Sequence, residues 1–140
     1  MGVGFHLGRK GTLAASYYQG PFLTQILFGM WFQNTYRFSV DQLYSVYTFQ
    51  WGDYYSFPIN VGLGAFGYFN EKKSGDGTTA GNTRYHHVGL RAPVNVTCNH
   101  QDLAFDVYAE IVPALRFTPQ VTFDLYGGLG IRVYPLSYRR

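Results

Sequence analysis

The chain has 140 residues, of which 19% are aromatic, 14% are charged and 17 are glycine, and its net charge is +3. Soluble domains carry roughly 25% charged residues, so this composition suits a protein whose apolar and aromatic surface contacts something other than water. The positive charge is too small and too scattered to indicate nucleic-acid binding.

Alternation of apolar and polar residues with a period of two runs along the chain and is interrupted by turn residues. This period is typical of strands, because successive side chains of a strand point to opposite faces of the sheet. No linker or sustained helical period interrupts the pattern, so we predict an all-β fold in a single domain over residues 1–140. The predicted strands are Gly2–Gly8, Thr12–Tyr18, Leu23–Phe32, Gln42–Trp51, Pro58–Phe69, His87–Thr97, Phe105–Leu115 and Thr122–Tyr134.

Each predicted strand has an apolar face and a more polar one. In the seventh strand, for example, Phe105 and Val107 alternate with Asp106 and Tyr108. In the fourth strand we assign Leu43, Tyr47, Phe49 and Trp51 to the apolar face, and Tyr44, Val46, Thr48 and Gln50 to the opposite face.

The charged residues identify the two faces. Of the 11 basic and 8 acidic residues, the few inside predicted strands all lie on the polar face, and the others lie in turns, loops or the C-terminal tail. A charge that faces lipid at mid-depth costs about 2–4 kcal/mol, so an apolar face without charge is what a lipid-facing surface requires. The charged strand residues are Arg91, Asp106, Glu110, Asp124 and Arg132.

Strand length and connections suggest a membrane barrel. Ten residues at about 3.3 Å each, tilted by about 40°, span roughly 25 Å, the height of the apolar band in outer-membrane barrels. We therefore predict an eight-stranded antiparallel up-and-down transmembrane β-barrel, which leaves no sheet edge in lipid. Extracellular loops are usually longer than periplasmic turns, so the long Asn70–Asn82 connection places both termini in the periplasm of a bacterial outer membrane.

Two other architectures are less consistent with the pattern. A membrane-spanning helix needs about 20 apolar residues, whereas the longest apolar-rich stretch here, Phe22–Phe32, has 11. A soluble ligand-binding barrel would turn its apolar face inward and carry charges on its outer face along every strand. The first, second, third and fifth predicted strands carry no charge on either face.

Three segments near the C-terminus resemble a known family. Val88–Val94, Phe105–Pro113 and Phe123–Arg132 are similar to segments of short, poorly characterised outer-membrane β-barrel proteins in the general class of the OmpA transmembrane domain and OmpX. Gly4–Gly8 and Val61–Ala65 carry weaker similarity. The resemblance covers most of the chain and implies a small barrel in a Gram-negative cell envelope, but it implies little about function.

The charged strand residues point into the predicted lumen. An eight-stranded barrel is just wide enough for side chains to fill it, and buried charges have to be paired and hydrogen-bonded. We therefore predict a lumen plugged by side chains, in a barrel with a structural or interaction role. A narrow ion channel through a rearranging charge network is the alternative.

Catalytic and metal sites have weaker support. A serine hydrolase needs Ser, His and an acid within hydrogen-bond reach, and neither Ser16 nor Ser45 lies at the predicted depth of His86 and His87. Adjacent histidines on a strand point to opposite faces and cannot share one ion. We predict no enzyme, cofactor or metal, and an outer-membrane lipid-modifying enzyme is a less favoured reading.

The loops form the remaining candidate surface. The predicted outer loops carry more basic than acidic residues, which suits the phosphates of lipopolysaccharide and other anionic membrane lipids. A protein partner that binds these loops is a second possibility. The basic loop residues are Arg9, Lys10, Lys72, Lys73 and Arg84, together with Arg37 and Arg116, and the acidic ones are Asp41, Glu71 and Asp76.

Overall fold

The computed structural model describes residues 2–8, 11–31, 35–71 and 84–134. Strands dominate these ranges, and none of them contains a helix that is long and apolar enough to span a membrane. The strands are β1 (Gly2–Gly8), β2 (Gly11–Gln19), β3 (Phe22–Trp31), β4 (Thr35–Trp51), β5 (Tyr55–Glu71), β6 (Arg84–Arg91), β7 (Val94–His100), β8 (Phe105–Arg116) and β9 (Thr122–Val133).

The strands close into an antiparallel barrel. From β1 to β5, each strand pairs with the next one along the chain. The ring continues through β6 and β7 to β8 and β9, and it closes because β9 pairs with β1, where Val133 lies opposite Val3. The prediction of an all-β fold closed into a barrel is therefore confirmed.

The described chain has nine strands, whereas the sequence predicts eight. The sixth predicted strand, His87–Thr97, is divided at Ala92 and Pro93 into β6 and β7. Proline has no backbone N–H and cannot donate to the ladder, which explains the interruption. Both short strands pair with β5 and β8. Two backbone hydrogen bonds also bridge the gap between them. Gly62 N–H donates to the carbonyl of Pro93, and Ala92 N–H donates to the carbonyl of Pro113, at 2.9 Å each.

The fourth strand departs most from the prediction. It begins at Thr35 and not at Gln42, and its pairing with β5 is shifted by a bulge between Ser45 and Tyr47. A bulge inserts an extra residue, and a shift of one residue exchanges the two faces of a strand. Leu43 is therefore buried and Tyr44 and Val46 are exposed, so the faces predicted for these three residues are wrong. Tyr47, Phe49 and Trp51 lie beyond the bulge and are exposed.

Polar and apolar side chains are distributed in the reverse of the usual order. Buried positions on the inward face hold polar or charged groups such as Gln25, Asn60 and Asn95, together with a few apolar side chains. Outward positions hold large apolar residues, and Leu63 keeps 73% of its surface exposed. In the strands other than β4 whose side-chain burial is described, the inward and outward faces agree with the predicted polar and apolar faces.

The two ends of the barrel differ in their connections. At one end, here called the turn end, residues 20–21, 52–54 and 101–104 link neighbouring strands, and Gly20 and Gly52 adopt positive φ angles of 59° and 64° that suit tight turns. At the other, called the loop end, residues 117–121 link β8 and β9, while residues 9–10, 32–34 and 72–83 lie outside the described ranges. Gly2 and Tyr134 both lie at the turn end.

Candidate functional site

The inward positions of the described strands carry equal numbers of basic and acidic side chains. They hold four arginines and four carboxylates, so the formal charge of the lumen wall is zero. Three groups can be distinguished along the lumen by their contacts. The residues are Arg37 and Asp41 on β4, Arg91 on β6, Asp106, Glu110 and Arg116 on β8, and Asp124 and Arg132 on β9.

The central cluster consists of Arg91, Asp41, Glu110 and Ser39. The Arg91 Nε atom lies 3.0 Å from Asp41 Oδ1, and its Nη2 atom lies 3.5 Å from Glu110 Oε1. Arg91 Nη1 donates to Ser39 Oγ at 3.2 Å. All four side chains are buried, so one guanidinium links β6 to β4 and to β8 across the inside of the barrel.

The turn-end cluster is organised around Arg132, whose surface is 0% exposed. Its Nε donates to Asp106 Oδ1 at 2.8 Å, and its Nη2 donates to Thr97 Oγ1 at 3.0 Å. The guanidinium carbon lies 4.2 Å from the ring centroid of Tyr108 and 5.7 Å from that of Tyr18, in cation–π geometry. Arg132 is therefore held by a carboxylate, a hydroxyl and two aromatic rings from three other strands, β2, β7 and β8.

Tyr134 extends this cluster at the rim of the barrel. Its backbone N–H donates to the carbonyl of Ala104 at 2.7 Å, and its hydroxyl donates to Asp106 Oδ2. Burial raises the pKa of the Tyr134 hydroxyl, so this group stays protonated and remains a donor at neutral pH. Both oxygens of Asp106 are therefore engaged, one by Arg132 and one by Tyr134.

The third group lies towards the loop end. Arg116 Nη2 and Asp124 Oδ2 form an ion pair at 2.9 Å, with side chains 28% and 24% exposed. The Arg37 guanidinium lies over the rings of Tyr68 and Tyr126, with its carbon 5.0 Å and 5.4 Å from their centroids. This group is only partly buried, so water reaches the lumen more easily here than at the other two clusters.

A line of uncharged side chains crosses the lumen wall beside the central cluster. Ser45 Oγ donates to Asn60 Oδ1 at 2.5 Å, and Asn60 Nδ2 donates to Asn95 Oδ1 at 2.7 Å. Asn95 lies opposite Glu110 in the β7–β8 register. Side-chain hydrogen bonds thus run around the ring from β4 through β5 to β7.

Glycines make room for the large inward side chains. Gly64 lies opposite Asp41, and a Cβ atom there would lie 2.0 Å from Asp41 Oδ1. Gly130 lies opposite Tyr108, and a Cβ atom there would lie 2.2 Å from the Tyr108 ring. The lumen is therefore filled by pairing a bulky side chain on one strand with glycine on the next.

The structure brings four of the five predicted lumen residues into two pairs. Arg91 lies beside Glu110 and Arg132 beside Asp106, at the distances given above. Asp124 belongs to neither pair, because it contacts Arg116 nearer the loop end.

Three charged residues assigned to outer loops lie inside strands. Arg37 and Asp41 belong to β4 and Arg116 to β8, all at inward positions, so their predicted loop location is wrong. The error for β4 comes from starting the strand at Gln42. Tyr36–Gln42 alternates regularly between apolar and polar residues up to Asp41, and this signal identifies Arg37, Ser39 and Asp41 as one face.

The predicted loop surface is largely outside the described ranges. Arg9, Lys10, Lys72 and Lys73 belong to residues that the structure does not describe. Arg84 is the first residue of β6 and lies opposite Glu71, the last residue of β5, so the assignment of both residues to loops is wrong.

Side chains considered for catalysis or metal binding have other contacts. The described residues contain no group of three or more His, Cys, Asp or Glu side chains placed to hold a metal ion. His87 Nδ1 lies 2.7 Å from the carbonyl oxygen of Thr118, and His86 packs edge-on against Phe69. Ser45 contacts Asn60, as described above.

Comparison of the chain with known proteins found no matching family model, no similar curated protein and no similar solved structure.

Proposed function

We propose that this chain is an integral outer-membrane β-barrel, with a lumen plugged by side chains and a structural or interaction role. The observation that carries the proposal is the reversed distribution of side chains, with charges paired inside and large apolar groups exposed outside. Monomeric soluble proteins rarely expose an apolar patch of more than a few hundred Å², whereas here apolar side chains stand outward around the ring. Lipid is the environment in which this outer face is stable.

Eight strand positions around the ring fit this proposal. β6 and β7 occupy one position, because both lie between β5 and β8. Counted in this way, each strand runs antiparallel to the next along the chain, as in an up-and-down barrel of even strand number. The resemblance of Val88–Val94 and Phe105–Pro113 to small OmpA-like and OmpX-like barrels supports the same assignment. The turn end would then face the periplasm and the loop end the outside.

The paired lumen charges favour a plug over a channel. Each inward carboxylate of the turn-end and central clusters lies against an arginine, and glycines opposite bulky side chains leave little free width. Opening an ion path would require these pairs to separate at a cost of several kcal/mol. The working surface would then be the loop end, with membrane lipids, lipopolysaccharide or a protein as its partner.

The first experiment tests membrane insertion. The full chain is folded into detergent micelles and into liposomes, then compared boiled and unboiled on a denaturing gel. We expect the unboiled chain to migrate differently from the boiled chain, and to float with the liposomes after a urea wash. Identical migration, together with solubility in the absence of detergent, would contradict the proposal.

The second experiment separates the plug from the narrow channel. In planar-bilayer recordings of the same folded protein, we expect no steady conductance. A stable current that changes with Arg91→Met or Arg132→Met would favour the channel and overturn the plug.

The third experiment addresses the loop end. Binding of lipopolysaccharide to the liposome-inserted barrel is compared with binding to a variant that lacks residues 72–82. We expect the deletion to weaken binding. Equal binding by both proteins would remove this loop from the recognition surface.

A further inference from the structure

The fourth strand extends beyond its neighbour at the turn end. β3 begins at Phe22, opposite Tyr44, and the last backbone hydrogen bond on that side runs from Ser45 N–H to the carbonyl of Pro21 at 2.9 Å. Of the next six residues, Val46 is the bulged residue without a partner on β5, and Tyr47–Trp51 pair with β5 on one side only. On the other side no described strand accompanies them. This segment is called the β4 edge below.

Apart from the bulge at its start, the β4 edge lacks the devices that usually protect a free strand. Its sequence, Val-Tyr-Thr-Phe-Gln-Trp, has no charge, proline or glycine and is rich in residues that favour strands. All six residues are exposed, and Trp51 keeps 71% of its surface. The bulge lies at the start of the edge, so Tyr47–Trp51 stays in regular register with β5. On the side opposite β5, the backbone N–H and C=O groups of this segment therefore have no described strand partner.

One overhang at the loop end is covered, which gives a comparison within the same molecule. At the loop end, β6 extends past the end of β8, and Phe117 and Thr118 lie along it. Phe117 N–H donates to the carbonyl of Val88 at 2.9 Å. The Thr118 hydroxyl accepts from Val88 N–H at 3.1 Å and donates to the carbonyl of His86 at 2.9 Å. This chain segment therefore bonds backbone groups of His86 and Val88, and the β4 edge lacks such a segment among the described residues.

We propose that the β4 edge binds an extended peptide segment of another protein, which adds as a strand beside Val46–Trp51. Main-chain hydrogen bonds provide affinity in this mode of recognition, and alternate side chains provide specificity. The outward row of Tyr47, Phe49 and Trp51 offers apolar contact to every second residue of the peptide, and Thr48 and Gln50 offer polar contact to the others.

Charge indicates which peptide fits best. The exposed acid nearest in sequence to the edge is Asp53, in the turn that follows it, and Asp102 is exposed in the turn between β7 and β8. The edge itself carries no charge that would repel or select a partner. The favoured segment is therefore a neutral strand of alternating apolar residues, with a lysine or arginine beside Asp53. The existence of the β4 edge is inferred from the strand pairing and does not depend on the proposed function. Only the location of the partner in the periplasm rests on the proposed membrane orientation.

The test uses a defined peptide. Acetyl-Lys-Thr-Val-Tyr-Val-Thr-Lys-amide, labelled for fluorescence anisotropy, is titrated with the full chain in micelles, and empty micelles provide the background. A second peptide with proline at alternate positions cannot form the ladder, because proline lacks the N–H donor. We expect saturable binding of the first peptide only, together with slower amide hydrogen exchange at residues 46–51. Equal binding of both peptides, or unchanged exchange at these amides, would overturn the proposal.

Variants locate the site. Asp53→Asn should weaken binding by about two- to five-fold, as expected for an exposed ion pair, and the control Asp102→Asn should leave it unchanged. Thr48→Pro and Phe49→Pro are both made, and heat-modifiable migration shows which of them folds. A folded proline variant that still binds the peptide at the original affinity contradicts the proposal. Concentration-dependent self-association without peptide binding would show that a second copy is the partner, which also contradicts it.

Discussion

The lumen and the outer face of this barrel are built from opposite kinds of side chain and are stabilised in different ways. In the lumen, Arg91 and Arg132 are buried and lie against carboxylates, hydroxyls and aromatic rings. On the outer face, Leu63, Leu125 and Leu129 are exposed, and their side chains carry no polar group that needs a partner.

The lumen and the outer face therefore differ in which substitutions they tolerate. A lumen residue is specified by its partners, because a buried charge without a partner costs several kcal/mol. If the outer face meets lipid, as we propose, an outward residue is specified mainly by the absence of charge, because one apolar side chain can replace another there. The lumen should therefore be sensitive to small chemical changes, and the outer face only to large ones.

The largest effect is expected when one partner of the buried turn-end pair is removed. Arg132→Met leaves Asp106 without its guanidinium and should lower the free energy of unfolding by about 3–5 kcal/mol. Urea unfolding of the folded protein in liposomes, followed by tryptophan fluorescence, measures the change. Met retains most of the apolar stem, so the loss reports mainly the missing charge.

Arg116→Met is the matched control for this prediction. The ion pair between Arg116 and Asp124 is partly exposed and screened by water, so its loss should cost only about 0.2–1 kcal/mol. Equal costs for Arg132→Met and Arg116→Met would mean that burial does not distinguish the two clusters.

A charge on the outer face gives the next largest effect. Leu129 is 60% exposed in the middle of β9, and Leu129→Arg should cost about 2–4 kcal/mol in a bilayer. Val121→Arg, at a loop position that is 71% exposed, should change stability by less than about 0.5 kcal/mol. If Leu129→Arg is as harmless as Val121→Arg, the outer face meets water and the proposed membrane location fails.

A single methyl group in the lumen should have a smaller but clear effect. Gly130→Ala places a Cβ atom against the Tyr108 ring, which has to move, and overpacking of this kind costs about 1–3 kcal/mol. Gly127→Ala is the control on the same strand, where the nearest atom would be 3.8 Å away. Urea unfolding of both variants provides the comparison, and similar stabilities would show that Tyr108 is loosely packed.

Which side chains face the lumen and which face outward could largely be predicted from the sequence, because side chains alternate between the two faces of a strand with a period of two. Alternation identified the inward Asp106, Glu110 and Arg132 before their contacts were known, since a strand has only two faces. It also identified the outward leucines. The pairing of Arg132 with Asp106 follows from register, which alternation alone does not determine.

The errors lie where the period breaks. The bulge at Ser45–Tyr47 shifts the phase of β4 by one residue, and a pattern continued through it gives Leu43 the wrong face. Asp41 is wrongly assigned to a loop for a related reason. It directly precedes the predicted start of the strand at Gln42, and a charged residue in that position resembles a loop residue. The pairing of each glycine with a bulky side chain on the next strand could not be predicted either. It depends on the register, which decides which residues of neighbouring strands lie opposite each other.

The smallest effect compares one hydrogen bond inside the barrel with one outside it. Ser45 donates to Asn60 at 2.5 Å towards the lumen, and Thr24 donates to Gln42 at 2.7 Å on the outer face. Ser45→Ala should cost about 1 kcal/mol, because Asn60 loses a partner in a partly buried site. Thr24→Val should cost about 0.6 kcal/mol in a bilayer, the average for a side-chain hydrogen bond in a membrane protein.

The double variant Thr24→Val/Gln42→Leu makes this comparison decisive. Replacing both partners by apolar groups leaves no unsatisfied amide, so on a lipid-facing surface the double variant should be as stable as the parent or more stable. Urea unfolding in liposomes measures both variants against the parent chain. On a surface that faces water, the same change would only enlarge an exposed apolar patch and promote aggregation. A double variant that is less stable in liposomes than Thr24→Val alone would therefore place this part of the outer face outside the apolar layer.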